Sequence, residues 1–403
     1  MRLLGMTLCL TLSCFASAQN KVYENDLGIM FPLQSEARIT LSKSANATQI
    51  FKGSWLDTVS KSFNETSVGD AIDQENRSED WSLISLRLVP CSPLGTYPHQ
   101  DIDTFCWPEL RQVWQPVLKN FRSRWNTILP YYADDRAIHA LYDVGLDSEE
   151  DRILVSRVKE QLSRYNGHLE ISSETKKLFV KKRNLAVKQY IEAILNLRDS
   201  QIDIEEFKGI NYRPETFDEE MEKNFIKRLR KLLIKFAPSK NIKALTAFSL
   251  PSGRTPANTD EWIFLSFEGR NGELVQLDID VKLNSPEQET VVIGKSEFAS
   301  MRRDDPSLYD LWESDPEGLG QLMRENILMF DDDYSRLASK IADRRKTLVP
   351  NTTCGSCHKF NRPRFDFHNY SYLEDNVPSV SMRTRTDIRL DLEWLDRWTS
   401  NKS

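Results

Sequence analysis

Two cysteines and a histidine near the end of the chain have the types and the spacing that could do chemistry. They lie in the string Cys354-Gly355-Ser356-Cys357-His358, and residues at i, i+3 and i+4 share one face of a helical turn. Two thiols on that face can add to the two vinyl groups of a haem, while the imidazole of His358 binds the iron from the same side. This Cys-x-x-Cys-His string is the attachment pattern of c-type haem. The sequence therefore predicts one covalent haem c, with Cys354 and Cys357 as its anchors and His358 as the proximal iron ligand.

Around this string, the chain resembles c-type cytochromes over about the last sixty residues. In small members of that family, the attachment motif is followed by a Pro-bearing loop, a distal ligand and a closing amphipathic helix. This chain has Pro363, then Met382, and then a stretch over 387–398 whose apolar residues fall near helical spacing. The resemblance implies a small α-helical haem module, electron transfer through the iron, and Met382 as the distal ligand.

Two departures from the family pattern leave the sixth iron ligand open. Met382 follows His358 by only 24 positions, which is shorter than is usual in the family. Pro350 also interrupts the approach to the motif, where the family normally has a helix. The haem could therefore be held partly by the preceding part of the chain. His368 is the rival of Met382 as distal ligand, and a sixth site that is open or otherwise filled is the third possibility.

Two other chemistries use the same residues. A thioredoxin-like redox pair also has Cys-x-x-Cys, but that fold needs a long βαβ-type body after the motif, and only 45 residues follow His358. A structural zinc site is the stronger rival, because Cys354, Cys357, His358 and His368 could supply four ligands of tetrahedral type. The adjacent residues Cys357 and His358 are awkward joint ligands of one ion, so haem attachment is the first interpretation.

The haem interpretation itself leaves two functions open. An electron carrier would have a low-spin iron with a filled sixth site. A haem-dependent oxidoreductase would have an open, high-spin iron and a substrate domain within residues 20–300. We find neither a local Ser-His-acid signature nor a phosphate-binding glycine loop in the sequence. We therefore expect haem binding and electron transfer, with the oxidoreductase and a non-redox secreted protein holding zinc as alternatives.

The beginning of the chain predicts export. Met1 and Arg2 precede the apolar run 3–15, and Ala16-Ser17-Ala18 has the small residues of a cleavage site. We expect removal of residues 1–18, which changes the formal net charge from -6 to -7 because Arg2 is lost. No later segment has about eighteen uninterrupted apolar residues, so we expect a periplasmic protein without a transmembrane anchor.

A second pair of cysteines predicts a disulfide. Cys91 and Cys106 lie fifteen positions apart, and exported chains are normally oxidised. Closing a loop of this length stabilises a fold by about 3 kcal/mol in the chain-entropy model. We assign this pair a structural role and no catalytic one.

The remaining patterns predict an α+β protein with four regions after the signal peptide. Periodicity changes from mixed strand and loop to helix, then to strands around the turn Asn271-Gly272, and then back to helix. Thr216 and Glu219 form a capping-box pattern that predicts the start of the third helix. The predicted regions are a mixed N-terminal region at 19–146, a helical region at 147–238, a β-hairpin region at 239–300 and a helical, cytochrome c-like domain at 301–403.

Charge distribution limits the partners. The net charge of -6 excludes a generally basic nucleic-acid binder. Basic residues near the haem segment could pair with haem propionates or steer an acidic redox partner, with surface solubility as the alternative. The helix after Glu219 also has a basic side, which a solvated surface explains most simply and which anionic lipid or an acidic partner could also explain. The basic residues that flank the haem segment are Lys359, Arg362, Arg364, Arg383, Arg385 and Arg389.

Overall fold

The structure is a computed structural model, and it describes most of the chain before residue 279 together with the C-terminal helix. The haem-attachment string, Pro363 and His368 lie outside the described residues, as does the predicted signal peptide. The described residues are 21–35, 37–41, 50–64, 81–95, 101–122, 128–133, 136–164, 171–249, 261–278, 290–293, 296–300, 339, 342–345, 370–371 and 379–400.

One large antiparallel sheet dominates the described part of the chain. Eight strands follow one another in the order β1-β2-β3-β5-β6-β7-β10-β9, while β4 pairs with β3 and β8 pairs with β7. A separate two-stranded sheet joins β11 to β12. The strands are β1 (Gly28–Met30), β2 (Trp81–Pro93), β3 (Cys106–Arg122), β4 (Ile128–Ala133), β5 (Ala137–Asp143), β6 (Ile242–Ser249), β7 (Glu261–Arg270), β8 (Glu273–Leu277), β9 (Thr290–Ile293), β10 (Ser296–Ser300), β11 (Tyr370–Ser371) and β12 (Ser379–Val380).

Six α-helices are described beside these strands. Helix α4 begins after Ser172, whose hydroxyl accepts a hydrogen bond from the backbone N–H of Thr175. The apolar side of α5 is buried in the core, as its helical spacing predicts. The helices are α1 (Glu24–Leu27), α2 (Gly53–Asn64), α3 (Glu149–Arg164), α4 (Ser173–Leu195), α5 (Glu219–Phe236) and α6 (Met382–Ser400).

Burial on both faces explains the composition of the central strands. Leu88 pairs with Leu110, and Leu110 pairs with Tyr142, so these three side chains lie side by side on one face of β2, β3 and β5. They belong to the main hydrophobic core, which also receives residues from α4, α5 and α6. Every residue of β2 before Pro93 is buried. Strand β2 is therefore mostly apolar on both faces, and its polar residues Ser82, Ser85, Arg87 and Ser92 are buried with the rest.

Local turn chemistry is predicted well by the sequence at one hairpin. Asn271 and Gly272 form the two-residue turn between β7 and β8, since Arg270 pairs with Glu273. Both turn residues have positive φ angles, 52° and 81°, which Asn and Gly tolerate best. The indole N–H of Trp55 on α2 donates to the carbonyl of Gly272 at 3.2 Å, which attaches that helix to the turn.

The capping-box prediction for α5 is wrong. Thr216 lies in a short 3₁₀ helix, Pro214–Phe217, and its hydroxyl donates to the carbonyl of Arg213. Asp218 is the N-cap instead, and its carboxylate accepts hydrogen bonds from the backbone N–H groups of Glu220 and Met221. An Asp at this position satisfies two of the free backbone N–H groups of the first turn. The helix therefore begins at Glu219, two residues later than the Thr–Glu pattern indicates.

The predicted fold class is also wrong. Strand β5 from the predicted N-terminal region pairs with β6 from the predicted β-hairpin region, so both regions belong to one sheet. The helical stretch between them is an insertion between two neighbouring strands. Helix α6 packs against β2 and α1, and no small helical, cytochrome c-like module is evident in the described residues. Periodicity reveals which face of a segment is apolar, but not which distant segment that face or edge meets.

A disulfide closes the end of the β2–β3 pair. Cys91 and Cys106 are joined, with their Cα atoms 5.0 Å apart. The turn inside the closed loop accepts bonds from two helices, because the carbonyl of Asp103 accepts from the indole of Trp394 and from the guanidinium of Arg183, each at 3.1 Å. The disulfide therefore constrains the turn on which α4 and α6 both dock.

Replacing both Cys91 and Cys106 with Ser is expected to reduce the free energy of unfolding by about 3 kcal/mol, because the unfolded chain regains the entropy of an open loop. Urea denaturation of the oxidised wild type and the double variant measures this difference. An unchanged midpoint would show that the disulfide contributes nothing to stability.

Within the described part of the chain, we found no helix with the length and apolar character that crossing a membrane requires.

Candidate functional site

Eight charged side chains, five of them buried and three half-buried, form a group that connects the sheet to both sides of the predicted haem-attachment segment in the sequence. We call this group the ionic cluster. Two of its members, Asp387 and Asp391, come from α6, which follows the segment, and Arg344 precedes it by ten positions. The full membership is Arg87 on β2, Glu109 and Arg111 on β3, Asp143 on β5, Lys243 on β6, Arg344, and Asp387 and Asp391 on α6.

Strand register places the sheet members of the ionic cluster on one face. Arg87 lies directly opposite Arg111, and Glu109 lies directly opposite Asp143. Glu109 and Arg111 are two residues apart on the same strand, and residues at i and i+2 share a face. The Nζ atom of Lys243 lies 2.6 Å from Oε2 of Glu109 and 3.8 Å from Oδ1 of Asp143. Four neighbouring strands thus contribute charges of both signs to one region of the sheet.

Helix α6 places two carboxylates over this region. Asp387 and Asp391 are four residues apart, which puts them one above the other on a helix. Asp391 lies 3.2 Å from Nη2 of Arg87, and Asp387 lies 3.7 Å from Nη1 of the same arginine. Arg111 reaches Asp387 at 3.9 Å. These contacts explain why an aspartate pair lies on the buried side of an amphipathic helix.

Arg344, which precedes the predicted haem-attachment segment, is bound to Asp391 on the helix that follows that segment. Its Nη1 atom lies 2.5 Å from Oδ1 of Asp391, and both side chains are buried, at 7% and 0% exposure. Asp391 therefore accepts from Arg87 on the sheet through one oxygen and from Arg344 through the other. One buried ion pair therefore connects Arg344 to α6, and the two residues lie on opposite sides of the predicted haem-attachment segment in the sequence.

Burial and charge act in opposite directions on the carboxyl groups. Burial by itself raises the pKa of Glu109, but the ammonium of Lys243 and the guanidinium of Arg111 outweigh it and lower that pKa to about 2. Burial raises the pKa of Asp391 above its ordinary value, and the cations of Arg344 and Arg87 only partly offset it. Burial likewise raises the pKa of Asp143 despite the nearby Lys243.

The state of Glu109 makes stability depend on pH in a defined window. A carboxyl group whose folded pKa is lowered stabilises the protein above its unfolded pKa, and this contribution disappears as the pH falls through the folded value. Glu109→Gln is therefore expected to be destabilising at neutral pH, and its difference from wild type is expected to shrink from about pH 4.5 towards pH 2. Urea midpoints of both proteins across this range measure the effect, and a difference that is independent of pH would contradict it.

The ionic cluster has the properties of an anchor rather than of a catalytic centre. Four cations of the cluster face its four carboxylates, and Arg383 of α6 lies beside Asp387 as a fifth cation, so the carboxylate charges are compensated inside the protein. Among the described residues, Nε of Arg87 and Oδ1 of Asp387 have no hydrogen-bond partner. Compensated charges of this kind fix the position of the elements that carry them, since Glu109, Asp387 and Asp391 each contact cations from two or more strands or segments.

The sequence-predicted ligands are placed only in part. Met382 is the first residue of α6 and is 41% exposed. Cys354, Cys357, His358 and the rival ligand His368 lie outside the described residues. Within the described ranges, no group of three or more His, Cys, Asp or Glu side chains is arranged to hold a metal ion.

Several predicted basic residues have charged or backbone partners. Arg383 lies 3.2 Å from Asp387, and Arg389 pairs with Glu393 one turn further along α6. The Nε group of Arg385 donates to the carbonyl of Val380 at 3.0 Å. Lys359, Arg362 and Arg364 lie outside the described residues. Two of the six basic residues predicted to flank the haem, Arg383 and Arg389, therefore have carboxylate partners within α6.

Sequence reasoning missed the ionic cluster, although the sequence carries two signals of it. Arg87 is the one charged residue in the mostly apolar stretch 83–89, and an arginine inside a buried strand requires a carboxylate partner. Asp387 and Asp391 lie four positions apart among the apolar residues of the last helix.

We found no match to this chain among protein-family models, curated proteins or solved structures.

Proposed function

We propose that this chain is an exported electron carrier with one covalent haem c. The observation that carries the proposal is the string Cys354-Gly355-Ser356-Cys357-His358. The two thiols supply thioether anchors, and the imidazole of His358 supplies the proximal iron ligand. A haem held in this way provides a one-electron couple whose potential depends on the axial ligands and on the surrounding charge.

The anchoring of the flanks supports this assignment. Arg344 before the string and Asp391 after it are held together by a buried ion pair, and Asp391 is itself held to the sheet by Arg87. A segment with both ends fixed loses less conformational freedom when it binds a large group than a segment with one free end. The proposal does not need a separate cytochrome c-like domain, because Arg344 and Asp391 are themselves held to the large sheet through Arg87.

The beginning of the chain supports the compartment. Residues 1–18 have the pattern of an export signal, and Cys91 and Cys106 form a disulfide, as is expected of proteins in oxidising compartments. We assign the protein to the periplasm on these grounds, which is also where bacteria attach haem to such strings.

A spectroscopic redox titration tests the electron-carrier proposal. The full chain is produced in a bacterium that has a haem-attachment system and is then titrated between its oxidised and reduced forms. We expect a low-spin spectrum in both forms and a reversible one-electron transition. A high-spin spectrum with an open sixth site would contradict the carrier assignment and favour an oxidoreductase. A chain that holds zinc and no haem would contradict the whole proposal.

Met382→Ala tests the distal ligand. Met382 begins α6 with a partly exposed side chain, and a thioether ligand raises the potential of a haem iron. We expect the substitution to shift the reduction potential by on the order of 0.1 V and to open the sixth site. Met221→Ala, at the first turn of α5, is the matched control and is expected to leave the potential unchanged. Equal potentials for the wild type and Met382→Ala would assign the sixth site to another group, of which His368 is the first candidate.

A further inference from the structure

One short segment is strongly basic although the whole chain is acidic. Between residues 223 and 240 there are seven Lys or Arg residues and no Asp or Glu, whereas the net charge of the chain is -6. Protein surfaces usually intersperse the two signs of charge, which makes a run of one sign informative. The segment comprises most of α5 and the short connection that follows it.

Four of these lysines form a row on the exposed side of α5. Lys223, Lys227, Lys231 and Lys235 are spaced four residues apart and are all exposed. At a rise of about 1.5 Å per residue the row is roughly 18 Å long. The opposite side of the helix is fixed in the core, where its buried apolar residues are Phe225, Ile226, Leu229, Leu232, Leu233 and Phe236. We call these four lysines the α5 lysine row.

Among the described residues, most of the α5 lysine row has no carboxylate partner. Lys223 pairs with Glu219 at 2.5 Å. Among the described residues, Lys227 and Lys231 have no acidic partner, and Lys235 contacts only the ring of Phe236, 4.8 Å from its centroid. The arginines of α6 differ in this respect, since Arg383 and Arg389 each pair with a carboxylate on their own helix. The positive field of the α5 lysine row is therefore directed towards solvent.

We propose that the α5 lysine row is the docking surface for an acidic partner protein. A row of four uniformly spaced ammonium groups is complementary to a compact patch of carboxylates, such as an acidic helix with the same spacing. Opposite charges of this kind increase the rate of association and orient the partner. The inference does not depend on haem attachment, although a redox partner of the proposed carrier would be one protein that could use the surface.

Two observations favour a protein over an extended anionic surface. Among the described residues, no large apolar side chain is exposed on α5 itself, and the exposed Phe217 lies before its acidic first turn, so the lysine-bearing side has nothing to insert between lipid chains. The row is also bounded at the beginning of α5 by Asp218, Glu219 and Glu220, which are all exposed. A membrane or a nucleic-acid duplex extends beyond the row and would come close to these acids, whereas a compact carboxylate patch can cover the lysines alone.

Binding of an acidic helical peptide to the full chain tests the proposal. The probe is a synthetic helix with four Glu residues spaced four positions apart, and titration at low and at physiological salt gives its affinity. We expect binding that weakens with salt, and a loss of about tenfold when Lys227, Lys231 and Lys235 are changed to Gln, since each exposed pair contributes modestly. The same three positions changed to Arg are expected to retain the affinity, because the charge is kept.

A second lysine-bearing helix provides the control. Lys177, Lys181 and Lys188 are exposed on α4, and their replacement by Gln removes the same amount of charge elsewhere. We expect this control to change the affinity by less than about twofold. No peptide binding to wild type, or an equal loss in the α4 variant, would overturn the proposal. So would a lysine-row-dependent interaction with vesicles of equal parts phosphatidylcholine and phosphatidylglycerol, or with duplex DNA, in the absence of peptide binding.

Discussion

Asp391→Ala is expected to reduce the free energy of unfolding by about 3–5 kcal/mol, the range found when one partner of a buried ion pair is removed. Asp391 is fully buried and accepts from Arg87 and Arg344. Its removal leaves two buried guanidinium groups without a shared carboxylate, and burial of an uncompensated charge is strongly unfavourable. Urea denaturation of the purified protein measures the loss.

A surface pair on the same helix serves as the control. Glu393 pairs with Arg389 and is 44% exposed, so Glu393→Ala is expected to change stability by no more than about 1 kcal/mol. Both substitutions replace one acid of α6 with alanine, which keeps the change in helix propensity similar. Similar losses in the two variants would contradict an anchoring role for the ionic cluster.

Replacing Cys354 and Cys357 together with Ser is expected to abolish covalent haem attachment. A serine hydroxyl does not form the thioether bond, so haem that still binds through His358 should be extracted under denaturing conditions. Haem staining of the protein after denaturing electrophoresis measures the attachment. Each single variant is expected to retain less attached haem than the wild type.

The double variant at Cys91 and Cys106 is the control for this loss. These two residues form the disulfide between β2 and β3, and their replacement also removes two cysteines from the chain. We expect lower stability in that variant but haem stain in the protein that folds. Haem that remains covalently bound after loss of Cys354 and Cys357 would contradict the assigned anchors.

Local features of the fold could be predicted from sequence because their causes are local. The turn at Asn271-Gly272 follows from two residues that tolerate positive φ angles. The buried side of α5 follows from the helical spacing of its apolar residues. Local information fails at the start of α5, where Asp218 rather than Thr216 caps the helix, since both candidates have side chains that can accept from free N–H groups.

The long-range arrangement could not be predicted from the same patterns. Strands β5 and β6 are paired neighbours although the whole helical stretch lies between them. Arg87 and Asp391 are 304 positions apart in the sequence and hydrogen-bonded in the structure. Each of these charged residues on a buried face requires a partner of opposite charge, but a single sequence contains many possible partners. The predicted helical module is wrong for the same reason, since the pattern of α6 does not reveal that it packs on β2.

One part of the candidate site could likewise be predicted from the sequence, and another part could not. The chemistry proposed for Cys354, Cys357 and His358 comes from adjacent residues, and the sequence alone suggests it. The anchoring of their segment comes from Arg344 and Asp391, which only the three-dimensional structure brings together. Arg383 and Arg389, two of the six basic residues considered for propionate pairing or a basic rim, have carboxylate partners on the same helix, which the structure shows and the charge pattern alone did not.

Intact mass spectrometry under denaturing conditions tests the central claim most directly. The full chain is produced in a bacterium with a haem-attachment system, purified and unfolded in acid before its mass is measured. Our account predicts a chain without residues 1–18 whose mass exceeds that of the polypeptide by one haem, and loss of that excess in the variant with Ser at 354 and 357. A wild-type chain with the mass of the polypeptide alone would contradict it.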